Sequence, residues 1–151
     1  MNKIELLNLL IVTRKNTLTY FDGTENSLQK TYGEYKWNVR QILHHLTDTE
    51  YLFLGRLKKI IAEPKQVICA FNQDDWNKTF EYFNAPLTGK RELYSLCRDM
   101  NYQLIEKYYD EFNTKEFVHS ETGLRTLKAE FEKVGLHNQA HNEQIKTALM
   151  R

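Results

Sequence analysis

A chain of 151 residues has the length of one domain, and a domain of that size buries roughly two-thirds of the surface its unfolded chain exposes, so it needs no disulfide staple. Its 21 basic and 20 acidic residues are interspersed, leaving a formal charge of +1 and no basic cluster of the kind that tracks a nucleic-acid backbone. Cys69 and Cys97 lack paired spacing and read as reduced thiols of a cytoplasmic protein, and the apolar stretch 4–12, broken by Glu5 and Asn8, is far short of the ~20 residues that span a membrane.

Four segments carry apolar residues at helical spacing, which predicts an all-α fold, one four-helix bundle over residues 1–151. The first runs from about residue 3 to 20, with Ile4, Leu7, Ile11 and Leu18 expected near one side, and stops at Phe21-Asp22-Gly23. The second opens at Asn38, an N-cap residue with Gln41 three positions on. It carries Ile42, Leu46, Phe53, Leu57 and Ile60, and Pro64 is expected to close it. A long connection, 62–87, follows; its length calls for a helical turn of its own, expected near 75–80 and packed across one end of the bundle. The third helix follows Thr88 and continues to about Phe112 through Leu93, Leu96, Leu104 and Ile105. The fourth follows a loop containing Gly123, takes Thr126 as N-cap and reaches the C-terminus. Strand signals are weak.

The fourth helix is the most informative element. Phe131, Val134, His137, His141, Ile145 and Ala148 fall on or beside one stripe, with Lys128, Glu132, Gln139, Glu143 and Lys146 largely opposite. His137 and His141 are thus one turn apart on the face to be buried, a spacing at which two imidazoles can share a metal ion. The alternative is a pair of interior histidines hydrogen-bonded to their neighbours. His44-His45 on the second helix offers a third imidazole: His45 lies on the Ile42, Thr49 and Leu52 side, while His44 projects about 100° away. His119 falls in a predicted loop, where it is either a solvated residue or one that approaches the mouth of the site.

These residues also resemble a known family. The run Trp37-Asn38-Val39-Arg40-Gln41-Ile42-Leu43-His44-His45-Leu46-Thr47-Asp48 is similar to the second-helix signature of the DinB/YfiT-like superfamily, and Arg56 and Pro64 fall where its members tend to have an Arg and a Pro. His119-Ser120-Glu121-Thr122-Gly123 resembles the family's His-Pro-Glu-x-Gly loop with Ser120 in place of the Pro. His137-Asn138-Gln139-Ala140-His141 matches its closing HxxxH helix, although Ala140 and Gln144 stand where further histidines are usual. The resemblance spans roughly residues 35–148 and implies a four-helix bundle in which His45, His137 and His141 bind one divalent metal, Zn or Ni.

Three protein ligands leave a coordination position open, which marks a catalytic rather than a structural metal. The resemblance implies transfer of a low-molecular-weight thiol, bacillithiol-like, to an electrophilic substrate, and a homodimer. Hydrolysis by a metal-activated water is the alternative, and a non-catalytic metal- or ligand-binding bundle a third. Asp48 is a candidate catalytic residue that orients a ligand, or else a solvated helix residue. Arg56 is a candidate for catalysis and for binding a cofactor carboxylate, or for a salt bridge within the bundle. Gln144 is either a hydrogen-bonding residue near the metal or an interior structural amide, and Asp74-Asp75-Trp76 either a lid or a helix cap followed by a packing aromatic. Neither nucleic acid nor a membrane is expected as a partner.

Overall fold

The two helices that start most sharply are those whose first turn satisfies its own backbone. The computed structural model describes residues 1–63 and 65–151, so the expected role of Pro64 lies outside the described residues. Helix α1 (Lys3–Phe21) and helix α3 (Val39–Ala62) each open on a capping box. Asn2 Oδ1 accepts the Glu5 N–H while the Glu5 carboxylate accepts the Asn2 N–H, and Asn38 and Gln41 do the same. Between them lies a single turn of helix, α2 (Glu25–Leu28).

In the long connection, strand β1 (Val67–Ile68) precedes helix α4 (Gln73–Thr79), whose first N–H groups are capped by Asn72. Then follow α5 (Lys90–Phe112), β2 (Glu116–His119), β3 (Gly123–Thr126) and α6 (Leu127–Leu149). The helical turn expected near 75–80 is therefore present, starting two residues early. The three strands form a small sheet that the sequence reading did not anticipate. β1 runs parallel to β2, with Val67 opposite Val118 and Ile68 opposite His119, and β2 pairs antiparallel with β3. Gly123 closes that hairpin at φ +73°, a backbone conformation side-chain-bearing residues rarely adopt. Strands of two to four residues are too short to show an alternating pattern.

Helices α1, α3, α5 and α6 form the four-helix bundle, with principal contacts α1·α6, α1·α5, α3·α5 and α3·α6 around the square. The core has two apolar clusters. One contains Leu6, Leu10, Phe53, Leu57, Ile105, Tyr109, Phe131 and Val134; the other contains Ile42, Leu43, Leu46, Tyr94, Ile145 and Ala148. On every bundle helix a buried polar level adjoins these clusters: Thr13 and Thr17, Glu50, Arg98 and Asn101, Asn138 and Asn142. The order in which each helix meets these levels gives its direction. α3 and α5 meet the Ile42 cluster first, while α6 meets it last, so α3 and α5 run parallel. Parallel neighbours need a connection that travels back along the bundle, which is why residues 63–89 are so long.

The second and fourth helices bury the faces expected. The first and third do so only in part: Leu7, Leu18 and Leu104 pack against the core and Ile105 is buried. Ile4, Ile11, Leu93 and Leu96 are exposed, whereas α1 buries Leu6, Leu10, Thr13 and Thr17, and α5 buries Tyr94, Cys97, Arg98, Asn101, Ile105 and Tyr109. Gly135 sets the approach of α1 to α6, since a Cβ there would come within 2.9 Å of Leu9 Cδ2. Cys69 is exposed, and Cys97 is buried. No helix among the described residues is long and apolar enough to cross a membrane.

Candidate metal centre

The rotation of α3 about its axis, fixed by burying Ile42, Leu46 and Phe53, separates the two adjacent histidines. His44 turns toward the long connection, where Nε2 lies 3.1 Å from the Ala85 carbonyl oxygen and the ring stacks on Tyr82 at 4.2 Å. His45 turns toward α6, where burial of Val134, Ile145 and Ala148 on the same stripe directs His137 and His141 at it. The three rings meet. His45 Nε2 is 3.0 Å from His137 Nε2, which is 3.2 Å from His141 Nε2, and the three ligand atoms lie within 4.8 Å of one another. Nitrogens held ~2.0–2.1 Å from a tetrahedral Zn ion sit about 3.3 Å apart.

The donor chemistry fits a cation. His141 Nδ1 lies 2.8 Å from Gln144 Oε1, an acceptor, so Nδ1 carries the hydrogen and Nε2 points its lone pair at the other rings. One ring hydrogen can serve only part of a cluster in which three nitrogens converge, and the lone pairs left facing one another repel. Burial holds the His45 imidazole down to about 3, with repulsion from His141 adding to it. Burial also depresses His137 far below the usual range, assisted by His141 and His45, and lowers His141, with Gln144 acting in the opposite direction. All three rings are therefore neutral near pH 7, the form that coordinates a metal.

Aromatic rings wall the cluster. Trp37 stands edge-on to His45 at 5.1 Å and parallel to His141 at 6.4 Å, and Phe53 and Phe71 lie against His137 and His45. On the open side is a cleft of about 460 Å³ lined in part by Thr49, Arg56, Asp74, His119, Glu121 and Lys133. Trp76 packs behind Phe71 and against Phe80 rather than over the cleft.

The other expected residues are placed unevenly. Asp48 is one turn beyond His44 and follows that residue's side of the helix. Its carboxylate accepts from the Tyr82 hydroxyl at 2.5 Å and from Lys90 Nζ at 3.1 Å, so it anchors the long connection instead of orienting a ligand at the imidazoles. Arg56 lines the cleft and also makes the bundle contacts considered for it, donating to the Cys69 carbonyl at 2.9 Å and lying 3.5 Å from Glu130. His119 is not a solvated loop residue: it ends β2, is 6% exposed, and reaches the cleft wall. Lys133 escaped notice in the sequence although it precedes His137 by one helical turn. Gln144 is bonded to a site histidine, as a residue that sets ring orientation should be. Gln144→Leu is expected to weaken metal affinity about tenfold without unfolding the protein, measured by competition with a chromogenic chelator.

The DinB superfamily matches this chain over residues 9–145. A protein of Oceanobacillus iheyensis is 29% identical over 131 residues, covering 83% of this chain and 72% of its own length. A second protein of that organism is 27% identical over 150 residues, covering 99% and 84%. Both carry descriptions as proposed metal-dependent hydrolases. The solved structure of YfiT from Bacillus subtilis, described as a four-helix bundle of unusual topology, aligns with a TM-score of 0.81 over 95% of this chain and 83% of that one. At 19% identity that likeness shows the fold. With most of its length matched and the bundle shared, the chain belongs to the DinB superfamily.

Proposed function

We propose that this chain is a metal-dependent enzyme in which His45, His137 and His141 hold one divalent ion, Zn or Ni, beside a substrate cleft. The observation that carries the reading is the convergence of three neutral Nε2 atoms, with successive separations of 3.0 and 3.2 Å. When bound, the ion supplies Lewis acidity at a coordination position the protein leaves free, lowering the pKa of a water or thiol placed there. Trp37, Phe53 and Phe71 limit solvent around the imidazoles, and Gln144 fixes the orientation of one ring. The cleft along α3 and α6 gives a small molecule access from one side.

Hydrolysis is the reaction that the descriptions of the relatives support. Transfer of a low-molecular-weight thiol, bacillithiol-like, is the second reading; the family resemblance supports it, and so does a 460 Å³ cleft with Arg56 and Lys133 in its wall, which suits a thiol bearing carboxylates.

The test begins with protein stripped by chelator and reloaded with Zn or Ni. Uptake of one ion per chain and metal-dependent turnover that falls at least a hundredfold in His141→Ala are expected. Cleavage of p-nitrophenyl acetate without thiol identifies the hydrolase, and metal-dependent consumption of thiol with monochlorobimane identifies the transferase. Failure to take up either metal would remove both readings, and uptake without either activity would leave a binding bundle.

A further inference from the structure

The cleft beside the three imidazoles is sorted by depth. Asp74 and Glu121 stand at its exposed rim, where water screens them, while Arg56 and Lys133 are half-buried and His119 is buried. Lys133 makes no hydrogen bond or ion pair among the described residues. The residue is half-buried and, among the described residues, its charge has no counter-ion in the cleft, so an anion bound there can pair with it. Arg56 is only partly satisfied: one amino group donates to the Cys69 carbonyl, and Glu130 lies 3.5 Å away with Oε1 lacking any hydrogen bond. Among the described residues only one of its five N–H groups is engaged in a hydrogen bond, so the rest of the fork can still serve a ligand.

His119 adds a donor of fixed sense. Its Nδ1 accepts the Glu121 backbone N–H at 3.3 Å, so the neutral ring carries its hydrogen on Nε2. This ring and the Lys133 side chain line the same cleft as His45 and His137. Lys133 precedes His137 by one turn of α6, about 6 Å along the helix axis. Arg56, paired with Glu130, marks a level nearly a turn further on.

We propose that Arg56, His119 and Lys133 form a carboxylate subsite, so that the substrate is an acid whose carboxylate lies about one helical turn (~6 Å) from the group presented to the imidazole cluster. The inference rests on the metal-centre reading and deepens it by naming the class of substrate. A planar guanidinium fork, an ammonium and an imidazole N–H supply the donors that a carboxylate accepts, in a cleft where fewer waters compete.

The experiment uses Zn-loaded full-length protein and two probes in isothermal titration calorimetry. Acetohydroxamate is a neutral metal-binding group; the monohydroxamate of succinic acid carries the same group with a carboxylate on a short chain. The acid probe is expected to bind wild-type protein at least tenfold more tightly. Most of that advantage disappears in Lys133→Met and returns in Lys133→Arg, while acetohydroxamate binds all three proteins alike and so reports an intact fold and metal site. An advantage of the same size in Lys133→Met as in wild type, or no advantage in wild type while acetohydroxamate still binds, overturns the subsite and leaves the metal reading standing. If neither probe binds the Zn-loaded protein, the metal reading fails and the subsite falls with it.

Discussion

His137→Ala should leave the protein folded but unable to hold its ion: metal content measured by plasma mass spectrometry falls from about one ion per chain to less than a tenth. The residue is chosen because its Nε2 is the common neighbour, 3.0 Å from His45 and 3.2 Å from His141. Without it, one ligand on α3 and one on α6 remain. Calorimetry separates this from a packing role. Free Zn at 100 times its dissociation constant stabilises a single-site protein by about 2.7 kcal/mol, a rise of roughly 5–10 °C in melting temperature for a chain of this size. Wild-type protein should show that rise and His137→Ala should not, and the two metal-free proteins should melt within a few degrees of each other. The ring that is lost packs edge-on against Phe53 at 6.0 Å, a contact of modest worth, and its removal also relieves crowded nitrogens. A variant that keeps the full Zn-induced rise would show that the three rings are not a shared coordination sphere.

What made the site legible in the sequence is that α3 and α6 obey simple rules. Each has an inward stripe of Ile, Leu, Val and Phe long enough to fix its rotation, and α3 has a capping box that fixes its start. A histidine on such a stripe has only one place to point. On α1 and α5 the same reasoning falls short because part of the inward face is polar: Thr13, Thr17, Arg98 and Asn101 are buried, while the apolar Ile11 and Leu96 are exposed. A pattern keyed to apolar residues places the inward face of such helices only in part. Asp48 shows a related ambiguity. It is three residues from His45 and four from His44, and only the rotation of the folded helix, with Tyr82 and Lys90 waiting on the His44 side, decides between them. Lys133 could be found only by folding the chain, because the cleft joins α3, α6, β2 and the connection after β1, which have no common motif.

The misread faces meet in the polar level of the bundle, and breaking it should have the largest effect on stability. Glu50→Ala is expected to cost about 3–5 kcal/mol in urea unfolding, because it strands the Arg98 guanidinium in the interior. Both side chains are 1% exposed. Arg98 donates to Glu50 Oε1 at 2.5 Å and to Asn138 Oδ1 at 2.6 Å, Asn101 donates to Glu50 Oε2 at 2.9 Å, and the Tyr94 hydroxyl donates to Asn138 Oδ1 at 2.7 Å. Burial pushes the Glu50 carboxyl up, and the Arg98 charge with the Asn101 hydrogen bond pulls it back. Replacing both ionic partners with apolar residues of similar size, as in Glu50→Leu with Arg98→Met, should recover much of the loss, since two desolvated charges contribute little net stability. The same double variant should nevertheless bind Zn more weakly than wild type. Asn138 follows His137 directly, and its carbonyl oxygen is gripped by Arg98 from α5 while its amide donates to Thr17 of α1 at 3.0 Å, so the ion pair helps set the rotation of α6 that aims His137 at His45. Restored stability with unchanged Zn affinity would mean that apolar packing alone orients the imidazoles and that the buried pair has no part in forming the site.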